Sequence, residues 1–118
     1  DDAMFQLTDI KKYFFTKKQD QSLENIGIYP GALILCKKTK KLKDYEIGIF
    51  TFDNTAVMRQ IIHKNKTTVQ LIPYSNDNTF EILEMQLDQI NIIAKVEKVI
   101  LDFNNKAVLQ QHYEQRLK

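Results

Sequence analysis

The sequence predicts a mostly β domain, a strongly bent sheet or partial barrel of about seven strands with one helix at its C-terminal end. Three observations carry that expectation. Only 3 Gly and 2 Pro occur in 118 residues, while Ile, Val, Phe, Tyr and Thr are abundant. β-prone runs recur at short intervals with turn formers between them, and after Phe103 the periodicity changes to that of a helix.

The strands follow in order. Tyr13 to Thr16 is a β-prone run, and Gly31 to Cys36 is apolar almost throughout, the mark of a buried strand. Glu46 to Phe52 and Ala56 to His63 flank the turn formers Asp53 and Asn54, which predicts a hairpin. Lys64 to Lys66 makes a second turn before the alternating run Thr67 to Ile72, which Pro73 ends. A polar loop over Tyr74 to Asn78 leads to Phe80 to Leu83, and Ile90 to Leu101 completes the set. Val108, Leu109, His112, Tyr113 and Leu117 then fall at helical spacing, predicting a helix over 104–118 capped by Asn104 or Asn105.

Length and charge narrow the function. A chain of 118 residues holds one domain, 1–118, and its formal charge of +2 argues against a polyanion-seeking surface. The densest basic run, Lys37, Lys38, Lys40, Lys41 and Lys43, reads as a solvated turn before it reads as a phosphate contact. One cysteine, Cys36, leaves no disulfide framework and fits a reducing, cytoplasmic setting, where it behaves as a small buried hydrophobe. His63 and His112 stand alone without ligand spacing, so the sequence asks for no metal and no cofactor. No apolar run approaches the length of a bilayer span, so no membrane partner is expected. The chain opens Asp1, Asp2, Ala3 rather than with Met, which reads as a fragment or processed product.

The segment from Asp20 to Leu33 carries the most information. Ser22, Leu23, Ile26, Gly27, Ile28, Gly31 and Leu33 stand where a serine opens a short turn and an Ile-Gly-Ile run leads into a buried strand. This resembles the serine-bearing turn of the LexA and UmuD superfamily, the serine-lysine self-cleaving domains of SOS regulators and many phage repressors. Ala56 to Arg59 is similar to that family's Val-Lys-Arg strand, Val69 to Asn76 to its next strand and Asn-containing loop, and Ile93 to Val96 to its last strand. Together these pieces run from about Tyr13 to Leu101.

The resemblance implies a LexA-type C-terminal domain with Ser22 at the nucleophile position. It also implies that the general-base lysine is replaced by Met58, which matches the apolar stem of lysine but has no basic nitrogen. Arg59 is no substitute on this reading, because a guanidinium stays protonated and strand alternation sends its side chain to the other face. Lys64 and Lys66 lie beyond the strand in a turn. Family members carry an Ala-Gly or Cys-Gly scissile bond well upstream of the serine; here 21 residues precede Ser22, and Ala3-Met4 lacks the glycine.

These features point to the dimerisation and regulatory half of a phage or mobile-element repressor in the SOS class, without self-cleavage. Its DNA contact would come from an absent N-terminal helix-turn-helix domain, and its induction from an antirepressor protein or RecA. By the same resemblance a homodimer interface maps to Ile92, Ile93, Val96, Val99 and Leu101. The alternative is a self-cleaving serine-lysine peptidase captured as an inactive mutant or post-cleavage fragment. A third reading, a generic β-barrel interaction module, expects Ser22 and Met58 to lie apart.

Overall fold

The computed structural model describes residues 10–100 and 106–118. Seven strands form one antiparallel sheet: β1 (Tyr13–Lys17), β2 (Leu33–Lys38), β3 (Ile47–Phe52), β4 (Thr55–His63), β5 (Thr68–Ile72), β6 (Leu83–Gln86) and β7 (Asn91–Ile100). Their spatial order is β1-β2-β7-β3-β4-β5-β6, so the last strand lies between the second and third and the sheet is not closed into a barrel. One helix, α1 (Lys106–Arg116), follows. No helix among the described residues is long and apolar enough to cross a membrane.

The β3–β4 hairpin turns where the sequence places it. Phe52 pairs with Thr55 across Asp53 and Asn54, whose φ angles of 49° and 59° give the two left-handed residues that match strand twist in a two-residue turn. The sixth strand differs from expectation. Phe80 to Leu83 was the expected span, but the strand begins at Leu83, because Leu83 and Met85 pack against the core while Phe80 is drawn over the Arg59 guanidinium. The helix is also less amphipathic in use than its spacing suggests. Its Leu109 and Tyr113 are exposed, as is Leu117 just beyond it. Leu101, Asn104 and Asn105 lie outside the described residues.

The sheet buries both of its faces, each against a different set of neighbours. Ile49 and its partner Met58 face one cluster, built from Leu23, Ile28, Ile34, Cys36 and Ala94. Phe50 and its partner Val57 face the other, with Leu42, Ile61, Val69, Leu71 and Ile90. Strand β7 serves both: a bulge at Ile93 lets Ile92 pair with Phe50 and Ala94 with Ile49. A second irregularity, at Glu97, adjusts its register against β2. Cys36 sits wholly inside the first cluster, where burial and, secondarily, the Glu97 charge push its thiol up to about 11.

Gly48 is where strand β3 meets its neighbours most closely. A Cβ there would overlap Leu42 Cδ1 and come within 3.0 Å of the Ala94 carbonyl oxygen, whose backbone is fixed by the β3–β7 ladder. Gly48→Ala is therefore expected to lower unfolding stability by about 2 kcal/mol, measured by urea denaturation; an unchanged midpoint would show that the strands have room to separate.

Candidate functional site

Ser22 is held by a short, closed segment between β1 and β2. Its carbonyl accepts from Tyr74 N at 2.7 Å, and the Tyr74 carbonyl accepts from Asn25 N at 2.9 Å, which ties the turn to the chain just past β5. A 3-10 turn over Glu24–Ile26 ends at Gly27, whose φ of 93° is a left-handed position that favours glycine. Ile28 then bridges back to Leu23, and both side chains enter the first core cluster. Burial of Leu23 and Ile28 on either side of the glycine is what pins the serine in place.

The Ser22 side chain is fully buried and meets three charged groups. Lys18 Nζ donates to Ser22 Oγ at 2.9 Å, and Arg59 Nη1 donates to the same oxygen at 2.8 Å. Ser22 Oγ donates in turn to Asp20 Oδ1 at 2.6 Å. A hydroxyl has one proton and two acceptor lone pairs, so all of its bonding capacity is taken. Asp20 Oδ1 also accepts from Ser22 N at 3.0 Å and forms an ion pair with Lys18 Nζ.

Met58 lies against this network without joining it. Its side chain packs in the cluster that holds Leu23, while its carbonyl oxygen accepts from the same Arg59 Nη1 at 2.8 Å. The backbone of residue 58 is thus two hydrogen bonds from the serine hydroxyl. Met58 also lines a cavity of about 120 Å³ whose other walls include Lys18, Asp20, Ile49 and Ala56.

Arg59 corrects the alternation argument. Its backbone does present the side chain away from Met58, yet the guanidinium returns to Ser22. Strand β5 pairs with β4 only from Gln60 to His63, so the edge of β4 before Gln60 has no strand beside it among the described residues. A long side chain can turn over such an edge, and Arg59 does so, bonding the free Met58 carbonyl on the way. Phe80 then covers the guanidinium, its ring centroid 5.5 Å away. Burial lowers the Arg59 pKa from its ordinary value, against the opposing pull of the Asp20 charge. Its Nε is buried without a hydrogen-bond partner among the described residues.

Lys18 was not singled out by the sequence reading, although the signal was present. Lys18, Asp20 and Ser22 alternate, and in an extended segment alternating side chains share one side. The Lys18 side chain is only 4% exposed, which for a lysine requires partners of this kind.

The other candidates are dispersed. Ile92 and Val96 pack partly against the two core clusters, whereas Ile93 and Val99 are exposed on β7. His63 Nδ1 lies 2.6 Å from Asp44 Oδ1 at an exposed position, and His112 is on α1. Lys38, Lys40, Lys41 and Lys43 are exposed, and Lys37 lies over the Tyr13 ring. Lys64 pairs with Glu84 on the surface.

Burial works to raise the Asp20 pKa, but hydrogen bonds from Lys18 and Ser22 and the Lys18 charge outweigh it and hold the carboxyl at about 2, against an ordinary 3.8. A carboxyl with a lowered folded-state pKa contributes stability that is complete above its unfolded value and is lost as pH falls through the folded one. Acid titration of unfolding stability is expected to show a component between 3.8 and about 2 that Asp20→Asn removes. Identical slopes in the two proteins, measured by denaturant midpoints, would mean the network does not hold Asp20.

Comparison with known families bears on this site directly. The family described as Peptidase S24-like matches the chain over residues 2–97, a span that includes Ser22, Met58 and Arg59. No curated protein matches the chain.

Proposed function

Since the chain belongs to the Peptidase S24-like family, the LexA and UmuD-like peptidases, we propose that it is the C-terminal dimerisation and regulatory domain of a repressor in which the family's cleavage site is silent. One observation carries this reading: the hydroxyl at the nucleophile position is saturated by Lys18, Arg59 and Asp20, while position 58 supplies no base. Nucleophilic attack needs a free lone pair on the oxygen and a neighbour able to take its proton. Both lone pairs here accept from cations, and the proton faces a carboxylate that is a weak base.

On this reading the domain spans 1–118 and its work is association. Dimerisation couples two weak half-site contacts made by an N-terminal helix-turn-helix domain, and coupling turns the second contact into an effectively intramolecular one. The parent is cytoplasmic and of phage or mobile-element origin, and with its site silent it answers to an antirepressor protein, whereas RecA-dependent cleavage of the intact parent would overturn this reading. Exposed apolar side chains on β1, β2 and β7, among them Phe15, Leu33, Ile93, Val99 and Ile100, support a surface of this kind.

The second reading is a self-cleaving peptidase stopped at one residue. The cavity shared by Met58, Lys18 and Asp20 favours it, since a lysine at position 58 would have space beside the site.

Sedimentation equilibrium from below micromolar to near millimolar concentration is expected to show a reversible monomer-dimer transition. Ile93→Asp with Val99→Asp should raise the dissociation constant by about 10-fold or more. A strict monomer at all concentrations would refute the dimerisation reading.

A further inference from the structure

We propose that Lys18 is the latent general base of Ser22, and that Asp20 is the lock that keeps both groups silent. The proposal rests on the reading of Ser22 as a silenced peptidase site and names what silences it. A serine-lysine pair needs an amine within hydrogen-bond reach of the hydroxyl, and Lys18 Nζ, from the residue that follows β1, meets that condition at 2.9 Å. The amine is buried and donates to the hydroxyl and to the Asp20 carbonyl oxygen. What it lacks is a lone pair, because an ammonium in an ion pair with Asp20 has none to offer.

Asp20 acts on both partners through one atom. Its Oδ1 binds the Lys18 ammonium and at the same time takes the Ser22 hydroxyl proton, pointing it away from the nitrogen. Removing the carboxylate leaves a buried ammonium facing the Arg59 guanidinium across a single hydroxyl. With the carboxylate gone, the network no longer pairs the Lys18 charge or turns the Ser22 proton away from its nitrogen. The neutral amine then takes the Ser22 proton as the oxygen attacks. Met58 contributes only packing, so the site regains a base without a lysine on β4.

The cavity is bordered by Lys18 and Asp20, each of which is one hydrogen bond from Ser22 Oγ. With diisopropyl fluorophosphate the step balances. Lys18 takes the hydroxyl proton, the Ser22 oxygen forms a bond to phosphorus, the phosphorus-fluorine bond breaks with its electron pair on fluoride, and the ammonium returns its proton to solvent.

The test measures modification of Ser22 by this reagent, using intact-protein and peptide mass spectrometry across pH. The unmodified chain is expected to be inert near neutral pH, and Asp20→Asn to react about 100-fold faster with a rate that rises with pH. Adding Lys18→Met or Ser22→Ala to Asp20→Asn should abolish the gain. Amide spectra report whether each variant is folded, and Asp20→Ala is the second form of the lock removal.

A further measurement needs no change at Asp20. In the unmodified chain, Ser22 modification should rise at alkaline pH, and Lys18→Met should remove that rise. Folded Asp20 variants that stay inert, a gain that survives Lys18→Met, or no alkaline step in the unmodified chain would each overturn the role of Lys18. Reaction of the unmodified chain near neutral pH would instead overturn the silent-site reading.

Discussion

A single buried hydroxyl organises the candidate site of this protein. Ser22 Oγ accepts from an ammonium and a guanidinium and donates to a carboxylate, so two buried cations and a half-buried carboxylate meet at one oxygen. Burying charge is unfavourable unless every group finds partners, and losing one partner strands the others. The arrangement therefore works as a unit, and the segments that supply it must be fixed relative to one another. The chain just past β1 delivers Lys18, the closed turn delivers Asp20 and Ser22, and the edge of β4 that β5 leaves unpaired delivers Arg59.

Packing on the sheet provides that fixity. Leu23 and Ile28 are pinned in the cluster that also takes Met58, so the serine turn and β4 are joined by apolar contact directly beneath the polar network. The chain past β5 adds two backbone hydrogen bonds through Tyr74 and brings Phe80 over Arg59. Methionine at position 58 suits this layer because its flexible apolar side chain fills the space without adding a third cation. Packing thus fixes the serine turn while Lys18, Asp20 and Arg59 converge on the Ser22 hydroxyl.

Much of this architecture was legible in the sequence. The strand runs, the Asp53-Asn54 turn and the Ile-Gly-Ile segment after Ser22 are local signals, and local signals survive into the structure when tertiary packing agrees with them. Strand β6 was misplaced because Phe80 and Ile82 have β propensity, whereas the alternation of Leu83 and Met85 against Glu84 and Gln86 was the better guide. Arg59 was misjudged for a different reason. Alternation fixes where a side chain leaves the backbone, and at a strand edge with no neighbour a long side chain is free to come back. Lys18 went unread because one lysine of an adjacent pair resembles a solvated strand end, and its burial depends on Arg59 and Asp20 converging from elsewhere.

The central claim is the protonation and orientation of that one hydroxyl. Neutron diffraction from a deuterated crystal near neutral pH measures it most directly. The account predicts three deuterons on Lys18 Nζ, none on Asp20, and the Ser22 deuteron directed at Asp20 Oδ1. A Ser22 deuteron directed at a Lys18 nitrogen carrying only two deuterons would contradict it, because the serine would then already face its base.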